Sequence, residues 1–282
     1  MKNSLLLIFC VLILSIASGP VLGQGYDYHP QLSDTFTASL GYMRSSNSFK
    51  IEADDPSRPS IPGDEVDFED SLGVDGHTNL FNGQISWKFG ETKKWRLAGQ
   101  YFSNDAKGST VITEDIEWDG DIWKEGSFLE SGVKLAITRV FIGRSLIKND
   151  QNDFGIGGGI HNFDLKMFIE GEIKIDDDTT GFQEASISEN QILPNIGTWY
   201  HFSPARNWLL HARADWIGAS IGDYSGHMWN IAAGVGYQPW RHVGFDLSWQ
   251  YFNVNISADK DDWRGGADMT YSGPVLAITF GW

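Results

Sequence analysis

Large apolar side chains alternate with small or polar ones along most of this chain. Near the beginning of the pattern, Phe36, Leu40 and Tyr42 lie on one face of an extended segment. Thr37 and Ser39 lie on the other face. A period of two residues is typical of a β-strand. Nine further segments repeat it, at about 81–89, 95–101, 133–141, 154–161, 191–202, 207–216, 229–237, 243–251 and 275–282.

The composition of the two faces distinguishes a soluble barrel from a membrane barrel. One face carries the bulky apolar residues, whereas the other consists mainly of Gly, Ala, Ser, Asn, Gln and scattered charges. Small and polar residues suit the narrow lumen of a transmembrane barrel whose large residues meet lipid. A soluble barrel or sandwich would hide the large residues inside. We therefore predict an all-β fold: a closed antiparallel transmembrane β-barrel of ten strands in an up-and-down meander.

The same alternation of odd- and even-numbered positions, called parity below, assigns both faces of the segment around residue 137. It predicts that Val133, Leu135, Ile137 and Phe141 face lipid, opposite Lys134, Ala136 and Thr138. Arg139 then also faces lipid, where we expect its side chain to reach toward the nearby membrane interface.

The connections between the predicted strands alternate in length, as outer-membrane barrels require. Short turns are expected at 90–94, 148–152, 203–206 and 239–241, and a tight outward hairpin at 222–226. Long loops are expected at 45–79, 103–129, 170–189 and 257–270, and these hold 27 of the 37 acidic residues. The negative charge should therefore lie on the outer surface, while the short turns face the periplasm.

Both ends of the sequence indicate export to the outer membrane. Residues 1–23 have a short basic start and an apolar stretch at 5–16, which predicts a signal peptide followed by a barrel at 24–282. Aromatic residues beside the short turns predict an interfacial girdle: Trp87, Phe89, Trp95, Phe202, Trp208, Tyr237 and Trp240. The terminal aromatic Trp282 is the type of signal that the barrel assembly machinery reads. We therefore predict a Gram-negative outer-membrane location.

Inward polar residues are the candidates for chemistry within the wall. His211, Arg213 and Asp215 project to one side of the segment 207–216. They can be interpreted as part of a His-Asp catalytic pair or a proton-linked gate, but we favour an ion-pair network that fills the lumen, because buried charges need partners. The predicted network consists of Lys88, Arg96, Lys134, His211, Arg213, Asp215 and Asp246, with Glu130 as a further member.

Other motifs give weaker indications of ligands. His161 and His201 point inward by parity, but no His-x-His pair accompanies them, and we predict no metal and no cofactor. The acidic runs 176–178 and 259–262 are compatible with divalent cations, or with solvated loops, which we favour because EF-hand spacing is missing. The glycines at 157–159 lie within a strand and should admit bulky neighbours or a bend. A formal charge of −16 argues against nucleic-acid binding.

Several late motifs carry a family resemblance. They are GDYSG at 222–226, GYQPWRHVGF at 236–245, DKDD at 259–262, WRG at 263–265 and YSGP at 271–274. Over about 66–282 the chain resembles a family of small proteobacterial outer-membrane β-barrel proteins of uncharacterised molecular role. The resemblance implies the fold and the compartment, and it transfers no catalytic residues.

Three hypotheses about function remain. The first is a structural or surface-interaction role in the outer membrane without enzymatic activity, with lipid and lipopolysaccharide as partners. The second is a narrow porin-like channel for small solutes. The third is an outer-membrane hydrolase similar to the ten-stranded omptin proteases, which need paired acids and an Asp-His pair at the outer rim. His77 and His227 are the histidines near that rim, and His227 near Asp223 is the best pair available.

Overall fold

The structure is a computed structural model that describes residues 28–54, 65–113, 115–118, 121–123, 125–176, 179–221, 224–259 and 264–282. The predicted signal peptide, Asp223 and the centres of both acidic runs lie outside these ranges.

Ten long antiparallel strands form the wall, each paired with its neighbour in the chain. The last strand pairs with the first and closes the barrel, in a register that includes Leu40↔Ile278. The predicted ten-stranded meander is therefore confirmed. The wall strands are β1 (Phe36–Asp54), β3 (His77–Phe89), β4 (Trp95–Val111), β7 (Phe128–Lys148), β8 (Asn152–Asp176), β9 (Thr179–Ala205), β10 (Trp208–Ile221), β11 (Tyr224–Tyr237), β12 (Val243–Asp259) and β13 (Arg264–Gly281).

Three short strands and one short helix accompany the wall. Strand β2 (Glu65–Asp67) pairs with the outer end of β1, and β5 (Ile116–Trp118) pairs with β6 (Asp121–Trp123) in a separate hairpin. A 3₁₀ helix, Pro30–Leu32, precedes β1. The described residues contain no helix that is long and apolar enough to cross a membrane.

Several wall strands continue far into the segments that we expected to be loops. Strands β8 and β9 have 25 and 27 residues and run through most of 170–189, and β1, β4, β12 and β13 extend similarly. A membrane crossing needs only about 9–11 residues per strand. The sheet therefore projects beyond the bilayer on the side of the long connections. There, polar residues on the outer face interrupt the apolar pattern, but the backbone hydrogen bonds between strands continue.

The large apolar residues form a belt around the outside of the barrel. Phe245, Leu247 and Trp249 of β12 are 42%, 44% and 56% exposed, and Leu276 of β13 is 64% exposed. Such exposure fits contact with acyl chains. Aromatic pairs mark the end with the short turns, among them Phe36 with Trp87 and Trp208 with Tyr237. The predicted assignment of faces is correct for β1, β3, β4 and β8–β13.

Strand β7 is the exception, and its predicted parity is wrong. Val133, Leu135, Ile137 and Phe141 are buried in the lumen, whereas Val140 and Ile142 belong to the outer belt. The error arises because both faces of this strand are apolar near its middle. Size and polarity therefore do not distinguish its lipid face from its lumen face.

The outer half of the lumen is filled by an apolar core. The segment between β2 and β3 folds into the barrel mouth, where Phe68 and Leu72 are fully buried. Wall residues meet this segment from all sides, and Phe102 and Phe163 pack against the ring of Phe252 at centroid distances of 5.4 and 6.0 Å. We call this group the apolar plug; its members include Phe49, Phe68, Leu72, Val74, Phe102, Leu129, Val133, Leu135, Phe163, Met167, Ile169, Phe252, Val254, Met269 and Tyr271.

Gly157 provides a test of how tightly the wall packs. A Cβ atom there would overlap the carbonyl oxygen of Ile142 and lie 2.8 Å from the Phe141 ring. We expect Gly157→Ala to destabilise the barrel by about 1–3 kcal/mol through overpacking. At the neighbouring Gly158 the nearest atom is 3.2 Å away, so Gly158→Ala should change stability by less than about 1 kcal/mol. Urea unfolding in detergent micelles measures both, and equal effects would contradict this assignment.

Glu69 should make stability depend on pH. Its Oε2 accepts a hydrogen bond from the Phe49 N–H at 3.0 Å, and burial, followed by the nearby Asp67, raises its pKa from 4.5 to about 7. The folded chain therefore binds more protons than the unfolded chain between these values. The free energy of unfolding should fall as the pH rises from about 4.5 to about 7.

Glu69→Gln should remove this component of the pH profile, as measured by urea unfolding between pH 4 and 8. Glu91→Gln, in an exposed turn at the opposite end, serves as the matched control and should keep the wild-type profile. Superimposable profiles for wild type and Glu69→Gln would refute the assignment.

Candidate functional site

The chain segment before β1 closes the end of the barrel that carries the short turns. The Lys88 ammonium donates to the carbonyl oxygens of Gln31 and Leu32 at 2.5 and 3.1 Å, and Lys148 donates to Leu32 at 3.2 Å. The His29 N–H donates to Ser203 Oγ at 2.9 Å. We call residues 28–34 the N-terminal floor, because they lie across the periplasmic mouth.

Two further contacts hold the N-terminal floor. Arg241 donates to Asp34 Oδ1 at 3.1 Å, and half-buried Lys93 donates to the carbonyl oxygen of Ser33 at 2.9 Å. Burial lowers the pKa of His29 to about 3, so its imidazole is neutral at physiological pH. Basic side chains thus hold the floor through hydrogen bonds to backbone and carboxylate oxygens, and Pro30 and Leu32 add buried apolar contact.

Above the floor, a buried carboxylate is shared by two arginines. Arg139 of β7 donates to Asp215 Oδ1 of β10 at 2.7 Å, and Arg213 Nε lies 4.0 Å from Asp215 Oδ2. Arg139 also lies over the Phe141 ring at 4.3 Å. Because Asp215 is fully buried, it depends on these cations for its charge balance.

A second carboxylate, Asp153 at the beginning of β8, accepts from four side chains. Arg96 and Lys148 form ion pairs with its Oδ2 at 3.0 and 3.5 Å. Ser145 and the Trp199 indole donate to its Oδ1 at 2.7 and 3.1 Å. Trp199 fits against the wall because Gly155 and Gly143 leave space for its ring. Gly157, in the predicted run 157–159, likewise lies against the Phe141 ring, in agreement with the expectation that these glycines admit bulky neighbours.

Two histidines and an aspartate complete the charged layer. His211 Nε2 lies 2.5 Å from Asp246 Oδ2, across the lumen side of β10–β12. A carboxylate only accepts hydrogen bonds, so His211 Nε2 carries the proton. His201 lies beside it at a ring distance of 6.3 Å, and its Nδ1 is 3.3 Å from Arg96 Nη2.

A layer of amides separates these charges from the apolar plug. Asn82 donates to Gln250 at 2.7 Å, and Gln250 donates to Asn230 at 3.2 Å. Arg213 donates to Gln100 and Asn230 at 2.7 and 3.3 Å and so joins the amide layer to the charges. Polarity therefore decreases stepwise from the periplasmic mouth to the outer half of the lumen.

A polar cavity of about 140 Å³ lies between the N-terminal floor and the amide layer. Its charged lining residues are Arg96, Arg139, Arg213 and Asp246, with His201 and His211 beside them. Gln31 lines it from the floor.

The structure places six of the seven predicted network residues in this region: Lys88, Arg96, His211, Arg213, Asp215 and Asp246. The prediction for Lys134 is wrong, because the inverted parity of β7 puts its side chain on the outer surface, paired with Asp105 at 3.3 Å. Glu130 is outside for the same reason.

The inverted parity also corrects Arg139, which we predicted to face lipid. It is 4% exposed and belongs to the lumen cluster. Sequence reasoning likewise missed Asp153 and the N-terminal floor. Asp153 carried a usable signal, since it shares the parity of the inward glycines of β8, but it lay between the predicted turn at 148–152 and the predicted strand at 154–161 and was assigned to neither.

The other predicted sites bring together fewer polar groups among the described residues. Among the described residues, no group of three or more His, Cys, Asp or Glu side chains is arranged to hold a metal ion. His161 is buried beside Phe163. His77 and His227 are exposed at the outer end, and neither forms an ion pair with a carboxylate in the described part of the chain. The predicted partner of His227, Asp223, lies outside it.

Comparison with solved structures supports the fold. The crystal structure of the outer membrane protease OmpT from Escherichia coli matches with a TM-score of 0.59 and 10% identity, covering 88% of this chain and 97% of that one. The attachment invasion locus protein Ail of Yersinia pestis matches with a TM-score of 0.31 and 10% identity, covering 86% and 98%. The AIDA-I transport unit from Escherichia coli gives 0.39 and 12%, covering 95% and 94%.

No protein-family model and no curated protein matches the chain. The likeness to OmpT is at the level of fold, since the identity is only 10%. The closed ten-stranded wall and its apolar belt define the class: this is an outer-membrane β-barrel protein, located in the outer membrane of a Gram-negative cell.

Removal of Arg139 tests the buried ion pair. Arg139→Leu would leave the Asp215 carboxylate without its closest cation, which should cost about 3–5 kcal/mol. Lys134→Leu removes an exposed ion pair on the same strand and should cost about 0–1 kcal/mol. Arg139→Leu combined with Asp215→Leu should recover part of the loss, because no uncompensated charge remains. Urea unfolding of the refolded barrels measures all three, and similar costs for Arg139→Leu and Lys134→Leu would contradict the assignment.

Proposed function

We propose that this protein is a closed outer-membrane scaffold that acts through its outer surface, in a structural or surface-interaction role, and is neither a diffusion pore nor an enzyme. The observation that supports this role is the filling of the lumen over most of its length. A solute that entered from outside would meet the apolar plug, where Phe49, Phe68 and Phe252 are fully buried.

The periplasmic end of the lumen is also closed, and this closure supports the same proposal. The N-terminal floor crosses the mouth, and Lys88, Lys148 and Arg241 hold it through hydrogen bonds. The cavity behind it has no open path through the apolar plug. A diffusion pore needs a continuous polar passage, and the two closures argue against one.

Lipid and lipopolysaccharide are the partners that the outer surface fits best. Lys134 and Lys166 are register partners on β7 and β8, and both are exposed, six residues outward of the apolar belt residues Val140 and Ile160. Like charges opposite each other are unfavourable unless an anion lies near them, and Asp105 supplies one for Lys134 at 3.3 Å. The phosphates of outer-leaflet lipids would provide a further negative charge for Lys166. The acidic outer segments would then contact divalent cations that bridge such phosphates.

The C-terminus supports recognition by the barrel assembly machinery. The Trp282 carbonyl oxygen accepts from Thr35 and Phe36 at 2.6 and 3.0 Å, so the last residue seals the seam between β13 and β1. Its ring is 55% exposed beside Phe280. We expect the edge of β13 to be available to the barrel assembly machinery before β13 pairs with β1.

The fold likeness to a protease keeps hydrolysis as the alternative. That alternative needs an acid-base pair that a substrate can reach. The His211–Asp246 pair lies in the lumen between the two closures, and in the described residues His77 and His227 lack carboxylate partners. These placements favour a role without catalysis.

Planar-bilayer recording of the refolded barrel tests the proposal. Wild type should show no steady unitary openings, because the apolar plug and the N-terminal floor both block the lumen. A variant with residues 68–75 replaced by Gly and Ser and residues 24–33 removed should conduct, since both closures are weakened. Gly/Ser replacement of the exposed turn residues Glu91 and Thr92, which leaves Lys93 and its contact with the floor in place, is the matched control and should stay silent. Steady openings from wild type would refute the closed scaffold and favour the porin-like alternative.

A further inference from the structure

The charges around the lumen cavity do not balance. Within the described residues, the cluster contains three carboxylates and, apart from its histidines, five cationic side chains. The members are Asp153, Asp215 and Asp246 against Lys88, Arg96, Arg139, Lys148 and Arg213. Lys88 is compensated by backbone carbonyl oxygens. Arg139 and Arg213 share the single carboxylate of Asp215, which leaves an excess of positive charge beside the cavity.

Two arginine N–H groups at the cavity wall have no hydrogen-bond partner. The Nε atoms of Arg96 and Arg139 are buried and have no partner among the described residues, and the nearby Asp215 Oδ2 accepts no hydrogen bond either. Arginine cannot accept a hydrogen bond, so His201 Nδ1 accepts from Arg96 and the neutral ring carries its proton on Nε2. His201, Arg96 and Arg139 all line the cavity, so these N–H groups lie around one space.

This excess is costly at membrane depth. The barrel wall is surrounded by hydrocarbon, where an uncompensated charge is strongly unfavourable. The cavity volume of about 140 Å³ exceeds the ~10–15 Å³ that one water requires. From the charge, the donors and this volume, we propose that the lumen cavity binds a compact inorganic anion, either a halide or a tetrahedral oxyanion, between Arg139, Arg213 and Arg96.

The N-terminal floor gives the anion its route of entry. A surface basin of about 710 Å³ lies against the periplasmic side of the floor and is bordered by Lys93, Lys94 and Lys148, which outnumber the two carboxylates at its edge, Glu91 and Asp150. Basic residues at such a mouth raise the local concentration of anions. The polar contacts that hold the floor can exchange with water, whereas the apolar plug offers no polar path. Exchange of the anion should therefore occur with the periplasm.

The test uses the complete mature chain refolded in detergent micelles. Bromide and inorganic phosphate are titrated separately against gluconate at constant ionic strength, and the unfolding midpoint is measured. Binding to the folded state should raise the midpoint with ligand concentration. Response to bromide alone, to phosphate alone or to both identifies the size of anion that the cavity accepts. No response to either probe would overturn the proposal.

Two variants separate the cavity from the surface. Arg213→Gln keeps a hydrogen-bonding side chain but removes the excess charge, and it should weaken the apparent affinity at least tenfold. Lys134→Gln removes a surface cation and should leave the affinity unchanged. Equal loss in the two variants would assign the effect to the surface and refute the cavity site.

Anomalous scattering from bromide-soaked crystals of wild type is an independent readout that needs no variant. If the titration shows a response to bromide, a peak between Arg139 and Arg213 is expected, and peaks confined to surface lysines would then refute the site. The proposal is separate from the surface role, because planar-bilayer recording tests conduction and these measurements test occupancy of the cavity.

Discussion

Every backbone N–H and C=O group at membrane depth must find a partner within the protein, because acyl chains offer none. In this chain the requirement is met by closing ten strands through the β1–β13 pairing. The last residue takes part directly, since Trp282 exchanges backbone hydrogen bonds with Phe36. Closure with so few strands produces a narrow lumen. The remaining features of the interior are ways of filling that lumen.

The lumen is filled in two different ways. In the outer half, where the wall projects beyond the bilayer, Phe68 and Leu72 enter from the segment after β2 and pack against apolar wall residues. In the periplasmic half, Asp153 and Asp215 gather arginine and lysine side chains. Glycines are placed where a ring or a carboxylate needs space: Gly155 beside Trp199 and Gly197 beside Asp215. The amide layer lies between the two regions. It forms hydrogen bonds with the charged residues on one side and lies against the apolar plug on the other.

Much of this architecture could be predicted from the alternation of residues, because on most strands only one face is bulky and apolar. Phe245, Leu247 and Trp249 illustrate the rule. Strand β7 breaks it, since Ile137 and Phe141 point inward while Val140 and Ile142 point outward, all of them apolar. The partner of Arg139 is Asp215, 76 residues further along the chain. No local pattern reports such a pairing, so Arg139 and the lumen core on β7 could be assigned only after the register was known.

The two closures differ in how they respond to water, and this difference determines which side of the membrane the interior can exchange with. The apolar plug is held by burial, so opening it would expose many rings at once. The N-terminal floor is held by hydrogen bonds from Lys88, Lys93 and Lys148 to backbone oxygens, and water can replace each of these one at a time. Polar groups cluster on the side of the weaker closure. The apolar plug thus lies between the interior and the long connections, whereas the N-terminal floor lies between the interior and the short turns, and its side-chain contacts are mainly hydrogen bonds.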